Sequence, residues 1–134
     1  MRSSLSLRRV AAVGIVGTAL VAGTLPAASA KAPTYKASGT CSQGAAWKIK
    51  AKADDGRVEV EFEVDSNRTG QAWAWTLRDN GVKVSSGTSR TVAPSGSFSV
   101  ERRIANRAGK DTITATATHA ASGQKCNLRV VFPG

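Results

Sequence analysis

The chain has 134 residues, with 19 Lys and Arg against 9 Asp and Glu, a formal net charge of +10, two cysteines and one histidine. So few soft ligands argue against a zinc framework, and after an N-terminal export segment too little chain remains for two domains with separate cores. The basic excess points to anionic partners or to a solubility role.

Residues 1–30 carry Arg2, Arg8 and Arg9 and no acid, then an apolar run from Val10 to Leu25, then Pro26 and the small tripeptide Ala28-Ser29-Ala30. This is the layout of a cleavable signal peptide. The run of about 16 apolar residues falls short of the roughly 20 that span a bilayer. Leu7 before Arg8-Arg9 and Val10-Ala11-Ala12 after it depart from the twin-arginine pattern, so the general secretory route is expected. The rest of the chain offers no second apolar span, so a released, monomeric extracellular protein is expected, with an N-terminal extended segment at 31–44 and a domain at 45–134.

Cys41 and Cys126 would reach an oxidising compartment, where they are expected to pair; two free thiols or a share in one metal site are the alternatives. Such a bond would close a loop of 85 residues (126 minus 41). The chain-entropy relation gives that loop about 4–5 kcal/mol.

Seven strands follow in order. From Ala45 to Ala53, Trp47, Ile49, Ala51 and Ala53 alternate with Lys48, Lys50 and Lys52; from Val58 to Asp65, Val58, Val60, Phe62 and Val64 alternate with Glu59, Glu61 and Glu63. The Asp55-Gly56 centre between them suits a two-residue type I′ turn. That turn places Lys52 opposite Glu59, Lys50 opposite Glu61 and Lys48 opposite Glu63, a ladder that specifies register. A second hairpin runs from Gln71 to Asp79, turns at Asn80-Gly81 and returns through Val82 to Ser86. It sets Leu77 opposite Val84 and Arg78 opposite Lys83, two like charges facing each other. Ser97 to Ile104, Thr112 to His119 and Cys126 to Phe132 complete the set, separated by Gly- and Pro-containing connections. Seven strands in about 100 residues argue an all-β antiparallel sandwich.

Over residues 45–132 the chain resembles the immunoglobulin-like and fibronectin type III-like sandwiches. The resemblance rests on Trp73 and Trp75 before the Asn80-Gly81 hairpin, the corner Ala108-Gly109-Lys110-Asp111 before alternating Ile113, Ala115 and Ala117, and the closing strand. It implies one sheet of strands one, two and five, a second of strands three, four, six and seven, and Cys41 and Cys126 at the same end. The corner lacks that family's common tyrosine. The chain also resembles short uncharacterised secreted proteins of actinobacteria, which brings no function with it.

Catalytic equipment is not visible: His119 lies at a strand end without a Ser-containing nucleophile elbow, and the three glutamates already face lysines. The reading is therefore a non-enzyme with no cofactor and no metal. Asp54, Asp55 and Asp65 are divided between two ends of a hairpin and make no calcium cage. Trp73 and Trp75 read as core and, in a rival view, as a ligand platform. Thr112, Thr114, Thr116 and Thr118 read as an ordinary exposed strand face, and Asn67-Arg68-Thr69 as a glycosylation acceptor only in a source that modifies asparagine.

Charge carries the functional expectation. Residues 31–65 hold six basic and six acidic residues, and residues 66–134 hold ten basic against three acidic. Arg78, Lys83 and Arg129 on one outer face, with Arg107 and Lys110 on a nearby loop, form the candidate binding set. The expected partner is an anionic cell-surface polymer or an acidic protein. Nucleic acid is disfavoured by secretion and by the lack of a recognised motif. The rival class is a small-ligand carrier or extracellular inhibitor, which would need an apolar cleft between the sheets.

Overall fold

The computed structural model describes residues 32–134, so the reading of residues 1–30 as an export signal lies outside the described residues. The described chain forms eight antiparallel strands: β1 (Thr34–Thr40), β2 (Ala46–Asp54), β3 (Arg57–Asp65), β4 (Ala72–Asp79), β5 (Val82–Arg90), β6 (Ser97–Ala105), β7 (Asp111–His119) and β8 (Gln124–Phe132). They make two four-stranded sheets, ordered β1-β2-β3-β6 and β5-β4-β7-β8.

The expected count of seven is corrected by β1, which lies in the segment read as an N-terminal extension. It pairs along β2 from Thr34↔Lys52 to Thr40↔Ala46. Its inward positions are Tyr35, Ala37 and Gly39, a weak apolar alternation that a pattern search passes over. Their partners explain the pairing. Tyr35 packs edge-on against Phe132 of the opposite sheet, ring centroids 5.6 Å apart, and Gly39 leaves room for the Trp47 ring, which a Cβ there would meet at 2.7 Å.

The core is built from the inward faces of both sheets. Ile49, Val58, Val60, Phe62, Val64, Phe98, Val100 and Ile104 on one side meet Trp73, Trp75, Leu77, Ile113, Leu128, Val130 and Phe132 on the other, all at most 5 % exposed. Aromatic edges join the layers, with Phe62 and Trp75 at 5.6 Å and Trp73 and Phe98 at 6.1 Å between centroids. Ala115 and Ala117 stand beside Leu77 and Trp75 across the β4–β7 ladder, small residues next to large ones. Cys41, directly after β1, is bonded to Cys126 in β8, which ties the two sheets together.

Both two-residue turns form as expected, with positive φ at Asp55 (51°) and Gly56 (76°) and at Asn80 (51°) and Gly81 (86°). The first hairpin keeps the expected register throughout. The second keeps it only for Arg78↔Lys83 and Asp79↔Val82; the register then shifts between Leu77 and Arg78, so that Leu77 faces Ser85 and not Val84. Trp75 supplies the reason. The shift puts Gly87 opposite Trp75, where a Cβ would lie 2.9 Å from the indole, and lets Trp75 Nε1 donate to Ser89 Oγ at 3.1 Å. A bulge of one residue thus accommodates this indole and satisfies its only polar atom.

Candidate anion-binding face

The outer face of the β5-β4-β7-β8 sheet is positioned by the same alternation that builds the core. Trp73, Trp75, Leu77 and Asp79 point inward, so Ala74, Thr76 and Arg78 point outward. Cross-strand pairing then aligns Lys83, Arg78, Thr114 and Arg129 in a single row over all four strands. The next row is Ser86, Thr76, Thr116 and Asn127, and the one after it is Thr88, Ala74, Thr118 and Lys125. No acid occupies any of these positions.

The five ion pairs among the described residues are Lys48–Glu63, Lys50–Glu61, Lys52–Glu59, Arg103–Asp54 and Arg107–Asp79. Four of them lie on the other sheet or its turn, where the Lys–Glu ladder closes at 3.1 to 3.7 Å. Glu59 and Glu101 there also share a hydrogen bond, which holds the Glu59 carboxyl below its usual range and pushes that of Glu101 up. Arg78, Lys83, Lys125 and Arg129 take part in none of these pairs.

The structure divides the candidate set. Arg78, Lys83 and Arg129 come together in the row. Arg107 does not join them as a free cation, because its guanidinium Nε lies 3.3 Å from Asp79 Oδ2. Lys110 sits on the exposed β6–β7 connection, where its carbonyl accepts from Asn80 Nδ2 at 3.2 Å. Lys125 was missed by sequence reading although the signal was present: it precedes Arg129 by four residues on β8, so the period of two puts both on one face.

The two acids of this sheet are interior. Asp79 and Asp111 are 1 % and 0 % exposed, and Asp79 Oδ1 and Asp111 Oδ2 find no donor among the described residues. Burial, and then the neighbouring Asp111 carboxylate, which can accept a hydrogen bond from the protonated form of Asp79 and repels its charged form, push the Asp79 carboxyl up to about 6 against the pull of Arg107. Asp111 Oδ1 accepts from the backbone N–H of Arg107 at 3.3 Å. The pair therefore holds the β6–β7 connection and sends no charge to the outer face.

The remaining candidates are engaged elsewhere. His119 stacks on Trp73 with centroids 5.5 Å apart, and its Nδ1 meets Ser122 Oγ at 2.7 Å. That hydroxyl also accepts from the backbone N–H of Gln124, so it serves the β7–β8 turn. Trp73 and Trp75 are 0 % and 4 % exposed and belong to the core. A depression of about 510 Å³ lies over the Lys–Glu ladder, and one of about 640 Å³ lies at the disulfide end among Gln43, Asn67, Arg68, Gln71 and Ser122. Neither is lined by Trp73 or Trp75. Among the described residues no helix is long and apolar enough to cross a membrane, and no cluster of three or more His, Cys, Asp or Glu could hold a metal ion.

Comparison with known proteins finds no matching family model, no matching curated protein and no matching solved structure.

Proposed function

We propose that this protein is a secreted, non-enzymatic interaction module of immunoglobulin-like or fibronectin type III-like class that binds an anionic surface or acidic partner through the outer face of β5-β4-β7-β8. The observation that carries the reading is the Lys83–Arg78–Thr114–Arg129 row on a face without acids. Lys83 directly opposite Arg78 is a local electrostatic conflict, and a bound anion would relieve it. The opposite face pairs Lys48, Lys50 and Lys52 with glutamates of its own sheet, leaving Lys36 opposite Lys50 outside those pairs, so self-pairing was open to this fold and is absent from the cationic face. Support for the fold class is the division into β2, β3 and β6 against β4, β5, β7 and β8. Support for secretion is the N-terminal pattern together with the Cys41–Cys126 bond.

The test is co-sedimentation with washed source cells and isolated wall at low and high salt. Binding is expected at low salt, lost at high salt, and lost in R78E/K83E/R129E. Equal binding by that variant removes the face from the argument, and no binding at any salt makes the charge a solubility feature.

A further inference from the structure

We infer that the occupant of this face is a linear oxyanion polymer lying across the strands, along the Lys83–Arg78–Thr114–Arg129 row; this rests on the anion-binding reading and specifies its partner. At about 4.8 Å between strands the row runs roughly 14 Å from β5 to β8. The row beside it, Ser86, Thr76, Thr116 and Asn127, is uncharged, and the third contributes Lys125 alone. A fourth row adds Arg90 opposite Ala72, its Nη1 donating to the Gly70 carbonyl at 2.8 Å, so three of the face's five cations lie on one line across the strands and the other two stand apart from it.

The shape of the face selects among anions. It is an open sheet surface, and the two depressions of about 510 and 640 Å³ lie elsewhere. A compact anion resting there would keep most of its water, and each exposed charge contact is weak in that setting. Useful affinity requires one molecule to make several contacts at once, which a chain of anionic groups can do. The row matches such a chain: two planar guanidinium forks that can each grip an oxyanion with two N–H groups, one ammonium, and the Thr114 hydroxyl between the two arginines as a neutral donor.

A membrane surface fits less well. It would be expected to engage apolar side chains between the cations, and here the intervening positions are Thr, Ser, Asn and Ala. The exposed large hydrophobics are Val82 and Val92. Val82 faces inward-pointing Asp79 across the hairpin, and Val92 lies beyond the end of β5.

The experiment uses the purified exported protein and inorganic polyphosphate of graded length, beginning at tripolyphosphate, with phosphatidylglycerol vesicles at equal phosphate as comparator. Affinity should rise at least tenfold from tripolyphosphate to a chain that covers the row, then grow only in proportion to length. Three contacts predict a slope of log K against log salt of about −2. Position is read by two variants that remove the same charge. Lys83→Gln, at one end of the row, should weaken binding about fivefold, and Lys125→Gln, outside the row, less than twofold.

Equal losses in these two variants, length-independent affinity, or preference for the vesicles would overturn the linear occupant. If R78Q/K83Q/R129Q still abolishes binding in those cases, the anion-binding face survives without it. No binding of any probe at low salt ends both readings.

Discussion

The outer faces of the two sheets have the same backbone and opposite electrostatic designs. On β1-β2-β3-β6, Lys48, Lys50 and Lys52 each meet a glutamate of β3, and Arg103 meets Asp54. On β5-β4-β7-β8, Arg78, Lys83, Lys125 and Arg129 stand opposite Thr114, Thr118 or one another, and the sheet's two acids are turned into the interior. Exposed pairs add only about 0.2–1 kcal/mol each, so the ladder serves mainly to specify register. The second face forgoes that gain and keeps its charge available.

The placement of acids can be tested through pH. In the folded chain Asp79 is pushed up to about 6 from its ordinary value of 3.8. Its folded pKa is raised, so the folded state binds more protons between those values, and its contribution to stability falls as pH rises from about 4 to about 6 and is flat above. A shift of that size corresponds to roughly 3 kcal/mol. Urea unfolding at pH 4.5 and 7.5 should show that Asp79→Asn gains relative to the parent at the higher pH by about 2 kcal/mol, since roughly a third of the effect is already present at pH 4.5. A variant that loses stability equally at both values would mean that the carboxylate is a net stabiliser.

Two matched neutralisations address the faces directly. R78Q/K83Q/R129Q and K48Q/K50Q/K52Q each remove three positive charges. If position governs binding, the first should lose about 30-fold or more in affinity for an anionic polymer and the second less than threefold. Equal losses would reduce the comparison to net charge. Stability should move the other way, with the ladder variant losing about 1–2 kcal/mol through three broken pairs in chemical unfolding.

The bulge that seats Trp75 gives a structural counterpart. Gly87→Val places a branched side chain where a Cβ already lies 2.9 Å from the indole, and overpacking of this kind costs about 1–3 kcal/mol. Little loss would show that β5 can slide back to the simple hairpin register. The smallest effect belongs to Lys83→Gln alone. Relieving the like-charge pair with Arg78 should stabilise the fold by a few tenths of a kcal/mol at low salt and by nothing at high salt.

These outcomes bear on how much was legible beforehand. Strong alternation in β2, β3, β7 and β8 and the turns at Asp55-Gly56 and Asn80-Gly81 were readable because side-chain period and positive φ are local properties. Thr34–Thr40 was not, because a strand with Tyr, Ala and Gly inward earns its place only from Trp47 and Phe132 beyond it. Of the candidate site, Arg78 opposite Lys83 followed from the hairpin register and Arg129 entered only through the sheet order that the resemblance implies, whereas the capture of Arg107 by Asp79 depended on how a loop folds back over a sheet end.

By itself the sequence determined the strand periodicity, the two tight turns, the Lys–Glu register and the uneven division of charge, all properties of residues close in the chain or paired through one turn. Tertiary structure alone decided the eighth strand, the bulge opposite Trp75, the burial of Asp79 with Asp111 and the alignment of Arg129 with Arg78. Each of these depends on which strands become neighbours and how much room the core leaves, and that is set by packing between residues far apart in sequence.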